Sequence, residues 1–191
     1  MRHVISALVI NEPGVLANVA GMFAARGFNI DSLVVGRTEN PEISRMTIVV
    51  TADDNTLEQC RKQLAKLVPI VKVRDFSGTA YIERDLALIC VGVGPEKRSE
   101  VIEIVNLFRG KVVDVSRDTL VVELSGTEEK IDAMVELLKP YGIKELHRSG
   151  VIAMARGMQM TRDAESEKAA TTGGKRKRSL DAPAAASLPP S

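Results

Sequence analysis

Residues 11–16 read Asn11-Glu12-Pro13-Gly14-Val15-Leu16, a polar Pro-Gly corner between the apolar run 4–10 and an amphipathic helix that begins near Gly14. A helix start leaves backbone N–H groups without intrahelical acceptors and carries the positive end of the helix dipole, so it can hold a carboxylate. Gly14 lets a ligand approach the main chain closely, and the Asn11 amide can both donate and accept. The corner is a candidate site for a small zwitterion, although a plain turn that starts a helix uses the same residue types.

The apolar pattern on both sides of this corner predicts a βαββαβ module. Strands are expected at 4–10, 29–35, 43–51 and 71–74, with a second helix capped by Asp53 or Asp54. The first helix is expected to end at Arg26-Gly27, and its apolar residues recur at helical spacing: Val15, Leu16, Val19, Met22 and Phe23. This order is typical of a ferredoxin-like sandwich, whose two helices cover one sheet face. We expect a second copy to cover the other face and one edge.

The same order of elements repeats from about residue 80. Strands are predicted at 81–93, 111–115, 119–124 and 143–148, helices at 96–108 and 128–138, and a short apolar extension at 150–156. The predicted fold is α+β, with two tandem ferredoxin-like modules at 1–77 and 78–160. Residues 161–191 are rich in Ala, Ser, Thr, Pro and charged residues, so we expect a disordered tail.

Composition limits the classes of function. The chain has 191 residues, of which 45% are hydrophobic but only 3% aromatic, so its core must be aliphatic. Lys and Arg number 26 against 25 Asp and Glu, which gives no overall attraction to nucleic acid or to an anionic membrane. The run Lys175-Arg176-Lys177-Arg178 lacks neighbouring aromatic residues and is expected to be a solvated tail segment. The absence of a signal-peptide pattern or a membrane-spanning apolar run favours a cytoplasmic protein.

No group of residues predicts catalysis or metal binding. His3 and His147 have no metal-ligand spacing, and the well-separated Cys60 and Cys90 lie in apolar patterns expected to hold reduced, buried thiols. Gly92-Val93-Gly94 lacks the third glycine of a dinucleotide-binding loop. We therefore predict no catalytic residue and no metal site in this chain.

The two modules differ at the corner between first strand and first helix. The second module has Gly94-Pro95-Glu96-Lys97 there, without the amide and with the glycine before the proline, so only the first corner is predicted as a site. A second wall is predicted at Gly27-Phe28-Asn29-Ile30, where Asn29 offers another amide and Ile30 an apolar contact. If two first modules pair, this wall of one copy approaches the Pro-Gly corner of the other, and the ligand lies across a symmetric interface.

Several motifs occur in a specific order through both modules: Asn11 to Leu16, Arg26 to Leu33, Ser44 to Ile48, Phe108-Arg109-Gly110, and Arg148-Ser149-Gly150 with Ala155-Arg156-Gly157. Over residues 1–157 the chain thereby resembles the small regulatory subunits of acetolactate synthase (acetohydroxyacid synthase), whose first module is an ACT domain. The tail after Thr161 departs from the family pattern in being long and basic.

The resemblance implies feedback control of branched-chain amino acid biosynthesis. ACT domains of this family form a homodimer that binds an effector, usually valine. Asn11 would bind its polar head, and the N–H groups of Gly14, Val15 and Leu16 its carboxylate. Asn29 and Ile30 of the partner subunit would close the site. The second module would support assembly. The reaction, which joins pyruvate to pyruvate or 2-oxobutanoate, would belong to a large catalytic subunit with thiamine diphosphate, Mg and FAD, which this chain activates and makes sensitive to valine.

Two other classes stay open. A free-standing ACT-type amino-acid sensor or transcription regulator predicts specific DNA binding, against which the neutral charge and the lack of a helix-turn-helix pattern count. An enzyme of ferredoxin-like fold would need an acid/base or metal cluster that the sequence does not offer.

Overall fold

The computed structural model of the chain describes residues 1–157. The first module contains β1 (Arg2–Ile10), α1 (Val15–Ala24), β2 (Ser32–Arg37), β3 (Ile43–Thr51), α2 (Asp54–Leu64) and β4 (Ile70–Asp75). The second contains β5 (Tyr81–Gly92), a 3₁₀ turn (Pro95–Lys97), α3 (Arg98–Leu107), β6 (Lys111–Val115), β7 (Thr119–Gly126), α4 (Glu128–Leu138), a second 3₁₀ turn (Lys139–Tyr141), β8 (Ile143–Arg148) and β9 (Ile152–Ala155). The predicted tail 161–191 and its basic run lie outside the described residues.

Each module has an antiparallel sheet in ferredoxin-like order. The first sheet is ordered β2-β3-β1-β4 and the second β6-β7-β5-β8. The fifth strand of the second sheet, β9, pairs with the first part of β5, residues 81–84. The predicted α+β class with two ferredoxin-like modules is confirmed. The domain limits 1–77, 78–160 and 161–191 stay predictions.

Local sequence signals explain how the first module's helices begin and end. Gly27 has a φ of 68°, and its N–H donates to Ala24 O while the Phe28 N–H donates to Phe23 O. These two bonds form a Schellman motif. Its usual hydrophobic contact is made here by the rings of Phe23 and Phe28, which meet edge to face with their centroids 6.2 Å apart. At the start of α2, Asp53 is the cap, because its carboxylate accepts from the Thr56 N–H at 2.8 Å.

Three boundary or burial predictions are corrected. β2 begins at Ser32 rather than at residue 29, because the chain joins the ladder only where the Asp31 N–H meets Val49 O. α3 begins at Arg98 rather than at residue 96, since Pro95 starts a 3₁₀ turn and Lys97 leaves helical geometry at φ −102° and ψ 2°. Leu16 was expected on the apolar side of α1, but it is 46% exposed.

Two aliphatic cores lie between the sheets and their helices. In the first, buried side chains come from β1, β3 and both helices, and partly buried side chains of β2 and β4, such as Leu33 and Val73, pack against them. A third, smaller cluster lies on the opposite face of the first sheet, where Val151, Ala153 and Ala155 cover Val4 and Val49. Part of the face that we expected a second copy to cover is therefore covered by the segment that contains β9 of the same chain.

Candidate functional site

The β1–α1 corner presents an open helix start. Gly14 has φ 85° and ψ −13°, a left-handed conformation that side chains disfavour. Among residues 1–157, no side chain caps this helix start and no atom lies within 4 Å of a Cβ built at Gly14. The first intrahelical bond here is donated by the Asn18 N–H to Gly14 O, 2.9 Å away. The N–H groups that precede Asn18 in the first turn have no intrahelical acceptor. They can donate to a ligand, so the corner can bind an anion.

Asn11 is tied to the loop between β2 and β3. Its backbone N–H donates to Glu42 O at 2.8 Å and its side-chain Nδ2 donates to Pro41 O at 3.0 Å. This bond uses one N–H of the amide and fixes its orientation, which leaves Oδ1, an acceptor suited to an ammonium group, for a ligand beside the second N–H. The corner thus combines an acceptor for an amine with backbone donors for a carboxylate.

The α1–β2 corner holds Asn29 in a short hydrogen-bonded chain. Asn29 Nδ2 donates to Asp31 Oδ1 at 2.8 Å, and Thr51 Oγ1 donates to Asp31 Oδ2 at 2.8 Å. The Asp31 N–H also donates to Val49 O at 2.9 Å, which anchors the carboxylate to β3. Asn29 is therefore oriented by its neighbour and also presents Oδ1. Ile30 is half-buried and packs against the first core, so only part of its side chain faces outward.

The structure separates the six predicted site residues into two groups. Asn11, Gly14, Val15 and Leu16 surround the start of α1, whereas Asn29 and Ile30 follow its end. Ten residues of α-helix are about 15 Å long, so the two groups do not form one pocket within a single chain. A shared ligand would have to lie between two copies.

Sequence reasoning did not find the residues that hold these amides. Asp31 lies two residues after Asn29, a spacing at which side chains often bond locally, and this signal was available. Thr51 and Pro41 are distant in sequence and carried no such signal, because β-sheet pairing alone brings Thr51 beside Asp31.

A second polar cluster lies in the second module, next to its contact with the first. Asp85 is 4% exposed, and its carboxylate accepts from Arg148 Nε at 3.0 Å, Ser149 Oγ at 3.2 Å and the Gly150 N–H at 3.0 Å. Gly150 lies so close to the first module that a Cβ there would be 2.7 Å from Val34 Cγ2. Close packing therefore requires glycine at this position, and β2, which follows the Asn29 corner, is in direct contact with the second module.

His3 and Cys60 are buried in structural surroundings, whereas Cys90, which was also expected to be buried, is only half-buried and His147 is exposed. The ring of the buried His3 lies with Nδ1 3.0 Å from Ser77 Oγ and Nε2 3.2 Å from Ala52 O. Burial raises the pKa of the Cys60 thiol to about 11, which disfavours the thiolate. In the described part of the chain, no three His, Cys, Asp or Glu residues are grouped so as to hold a metal ion. Within residues 1–157, no helix has the length and apolar character needed to cross a membrane.

Comparisons with known proteins agree over both modules. Residues 5–72 match the family model described as AHAS small subunit-like ACT domain, and residues 84–157 match the model described as the small subunit of acetolactate synthase.

Relatives of known name match most of the chain. The acetolactate synthase small subunit of Mycolicibacterium smegmatis is 50% identical over 155 residues, which are 81% of this chain and 91% of the relative. That of Bacillus subtilis is 46% identical over 160 residues, 83% of this chain and 93% of the relative. The crystal structure of the Thermotoga maritima acetolactate synthase small subunit matches with a TM-score of 0.76 at 43% identity, covering 82% of this chain and 98% of that one. The chain therefore belongs to the family of acetolactate synthase small (regulatory) subunits, with an ACT domain as its first module.

Proposed function

We propose that this chain binds valine between the ACT domains of a homodimer and thereby confers feedback inhibition on a large catalytic subunit, which it also activates. The open start of α1 at Gly14 carries this assignment, because it offers backbone donors to a carboxylate beside the Oδ1 acceptor of Asn11. A free amino acid presents that pair of groups on one carbon atom.

The edge position of β2 supports the homodimer. β2 is one of the two edge strands of the first sheet, and α1 leads into it. A twofold axis beside β2 would set the α1 helices of two copies antiparallel, so the start of one helix faces the end of the other. Asn11 and Gly14 would then lie opposite Asn29 and Ile30 of the partner subunit, which unites the two groups that a single chain keeps apart.

The apolar surroundings support a small branched side chain as the ligand's third contact. Val15 is buried beneath the corner, whereas Leu16 is exposed beside it and Ile30 is half-buried. Valine matches this arrangement, because its isopropyl group can contact the aliphatic side chains while the acceptor of Asn11 and the backbone donors bind its amine and carboxylate. For inhibition, valine must bind one conformation of the complex better than another, and a coupling of about 1–3 kcal/mol is typical of such regulation.

Catalysis belongs to the large subunit in this proposal. Thiamine diphosphate, Mg and FAD would be bound there, and this chain would contribute no catalytic group. The second module would support assembly.

Calorimetry with valine, leucine and isoleucine on the purified chain tests the proposal, followed by acetolactate formation by the large subunit with and without this chain. We expect valine binding, stimulation of activity by this chain, and inhibition by valine only in its presence. A chain that binds none of the three amino acids, or that leaves the large subunit's activity unchanged, would contradict the proposal.

A further inference from the structure

The long strand β5 exposes an apolar side that the second core does not use. Its odd-numbered residues from Ala87 to Val91 are fully buried, whereas the even-numbered residues face away from the helices. In the ladder with β9, Ile82 pairs with Met154 and Arg84 with Ile152, so these side chains lie on the same side as Leu86 and Leu88. We call this surface the β5–β9 face; it consists of Ile82, Arg84, Leu86, Leu88, Ile152 and Met154.

Five large apolar side chains on this face are 38–60% exposed. Ile82 and Leu88 are six residues apart on one strand, so the face is about 20 Å long, which exceeds the reach of an amino acid or a similar metabolite. Contiguous exposed apolar surface of this extent is typical of an interface with another macromolecule.

One end of the β5–β9 face forms the wall of a groove of about 360 Å³ against β2 and β3. Val34, Ile82, Ile152 and Met154 contribute its apolar lining. In the described part of the chain, four charged residues line the groove: one carboxylate and three arginines, Glu39, Arg37, Arg45 and Arg84. Arg45 also donates to Ser6 Oγ at 3.3 Å, whereas Arg37 and Arg84 lie on exposed positions at the rim. The groove therefore favours an occupant with apolar and acidic side chains.

We propose that the β5–β9 face and its groove dock an extended segment of the large catalytic subunit in which apolar side chains alternate with carboxylates. The identity of this partner rests on the proposed function. A second copy of this chain fits less well, because an isologous contact centred on the groove would bring the same arginines together. An extended segment suits the surface, since alternate side chains of a strand point to the same side and match the spacing along β5.

The test measures binding of the purified large subunit to the full chain by calorimetry, with two single variants, Ile152→Asp and Arg84→Glu. Both positions are exposed, so we expect the variants to fold, as checked by circular dichroism. Each should weaken large-subunit binding by at least about tenfold, because a buried charge or a reversed charge opposes the proposed contact. Leu107→Asp is the matched control, since Leu107 is 76% exposed but lies on α3, which packs on the opposite face of the second sheet. It should bind like the unmodified chain.

The outcomes are distinct. If both variants fold and bind the large subunit as tightly as the unmodified chain, the docking surface is wrong. If either variant instead abolishes self-association of this chain, the face is an interface between copies and the proposed partner is wrong. Failure of the unmodified chain to bind the large subunit would overturn the proposed function itself. Valine binding is measured separately on each variant, and its retention shows that the effector site has not been disturbed.

Discussion

Replacement of Gly14 by aspartate places a negative charge where the proposed effector carboxylate binds. At about 5 Å, two like charges repel by about 1–3 kcal/mol at a partly solvated surface, depending on the effective dielectric constant. Gly14→Asp should therefore weaken valine binding by about 5- to 150-fold. The substitution also places a side chain at φ 85°, which costs about 1–2 kcal/mol of strain, while a carboxylate at the helix start returns about 0.3–1 kcal/mol.

Gly14→Asn is the matched control for this charge effect. Asparagine has nearly the same shape as aspartate and tolerates the left-handed conformation equally well, but it carries no charge. Both variants should fold, because a Cβ at Gly14 meets no atom of residues 1–157 within 4 Å.

The assay is valine calorimetry on each purified variant, followed by valine inhibition of acetolactate formation with the large subunit. We expect Gly14→Asp to lose valine inhibition while still activating the large subunit, and Gly14→Asn to keep most of its valine sensitivity. If Gly14→Asp binds valine like the unmodified chain, or if both variants lose binding to the same extent, the carboxylate does not bind at this helix start.

Three further predictions concern one residue beside the site, Asp31, and two buried residues elsewhere, Asp85 and Cys60. Asp31→Ala frees the Asn29 amide and should weaken valine binding about tenfold in calorimetry, with little change in melting temperature, because the carboxylate is exposed and mainly orients that amide. Asp85→Ala removes the acceptor of Arg148 Nε, Ser149 Oγ and the Gly150 N–H, while Arg148 keeps its pair with Asp132, and should lower the free energy of unfolding by about 1–3 kcal/mol in urea denaturation. Since burial raises the pKa of Cys60 to about 11, its thiol should react with iodoacetamide at pH 8 only after unfolding, as followed by mass spectrometry.

Each of these has a result that would contradict it. Unchanged valine affinity in Asp31→Ala would show that Asp31 is not needed to orient the Asn29 amide. Thr51→Val removes one of the hydrogen bonds to Asp31 and should weaken valine binding less than Asp31→Ala does. If Asp85→Ala is as stable as the unmodified chain, the hydrogen bonds to Asp85 make no net contribution to stability. Rapid alkylation of Cys60 in the folded chain would show that the thiol is accessible.

The sequence could predict those structural features that depend on only a few neighbouring residues. Gly27 ends α1 and Asp53 caps α2 as expected, because each acts on backbone groups within five residues of itself. The order of strands and helices follows from apolar periodicity for the same reason. The start of α3 was missed because Pro95 is compatible with both an α-helix and a 3₁₀ turn at its first position.

Contacts between distant segments could not be predicted in this way. Nothing near Gly150 in sequence indicates that it touches Val34, and nothing near Asp85 indicates that three donors from residues 148–150 surround it. The same holds for the cover that residues 151–155 provide on the first sheet, where the sequence predicts a second copy instead.

For the candidate site, the sequence by itself determined the chemistry: a glycine at a helix start, two asparagine amides and aliphatic neighbours, all set by residue type and short spacing. The tertiary structure decided their arrangement. It directs the nitrogen of each amide to a protein oxygen, so that both present acceptors, and it places Asn11 and Asn29 at opposite ends of α1. The physical reason is that a side chain's chemistry is local, whereas its orientation and its distance from other groups depend on sheet pairing and packing between segments far apart in the chain.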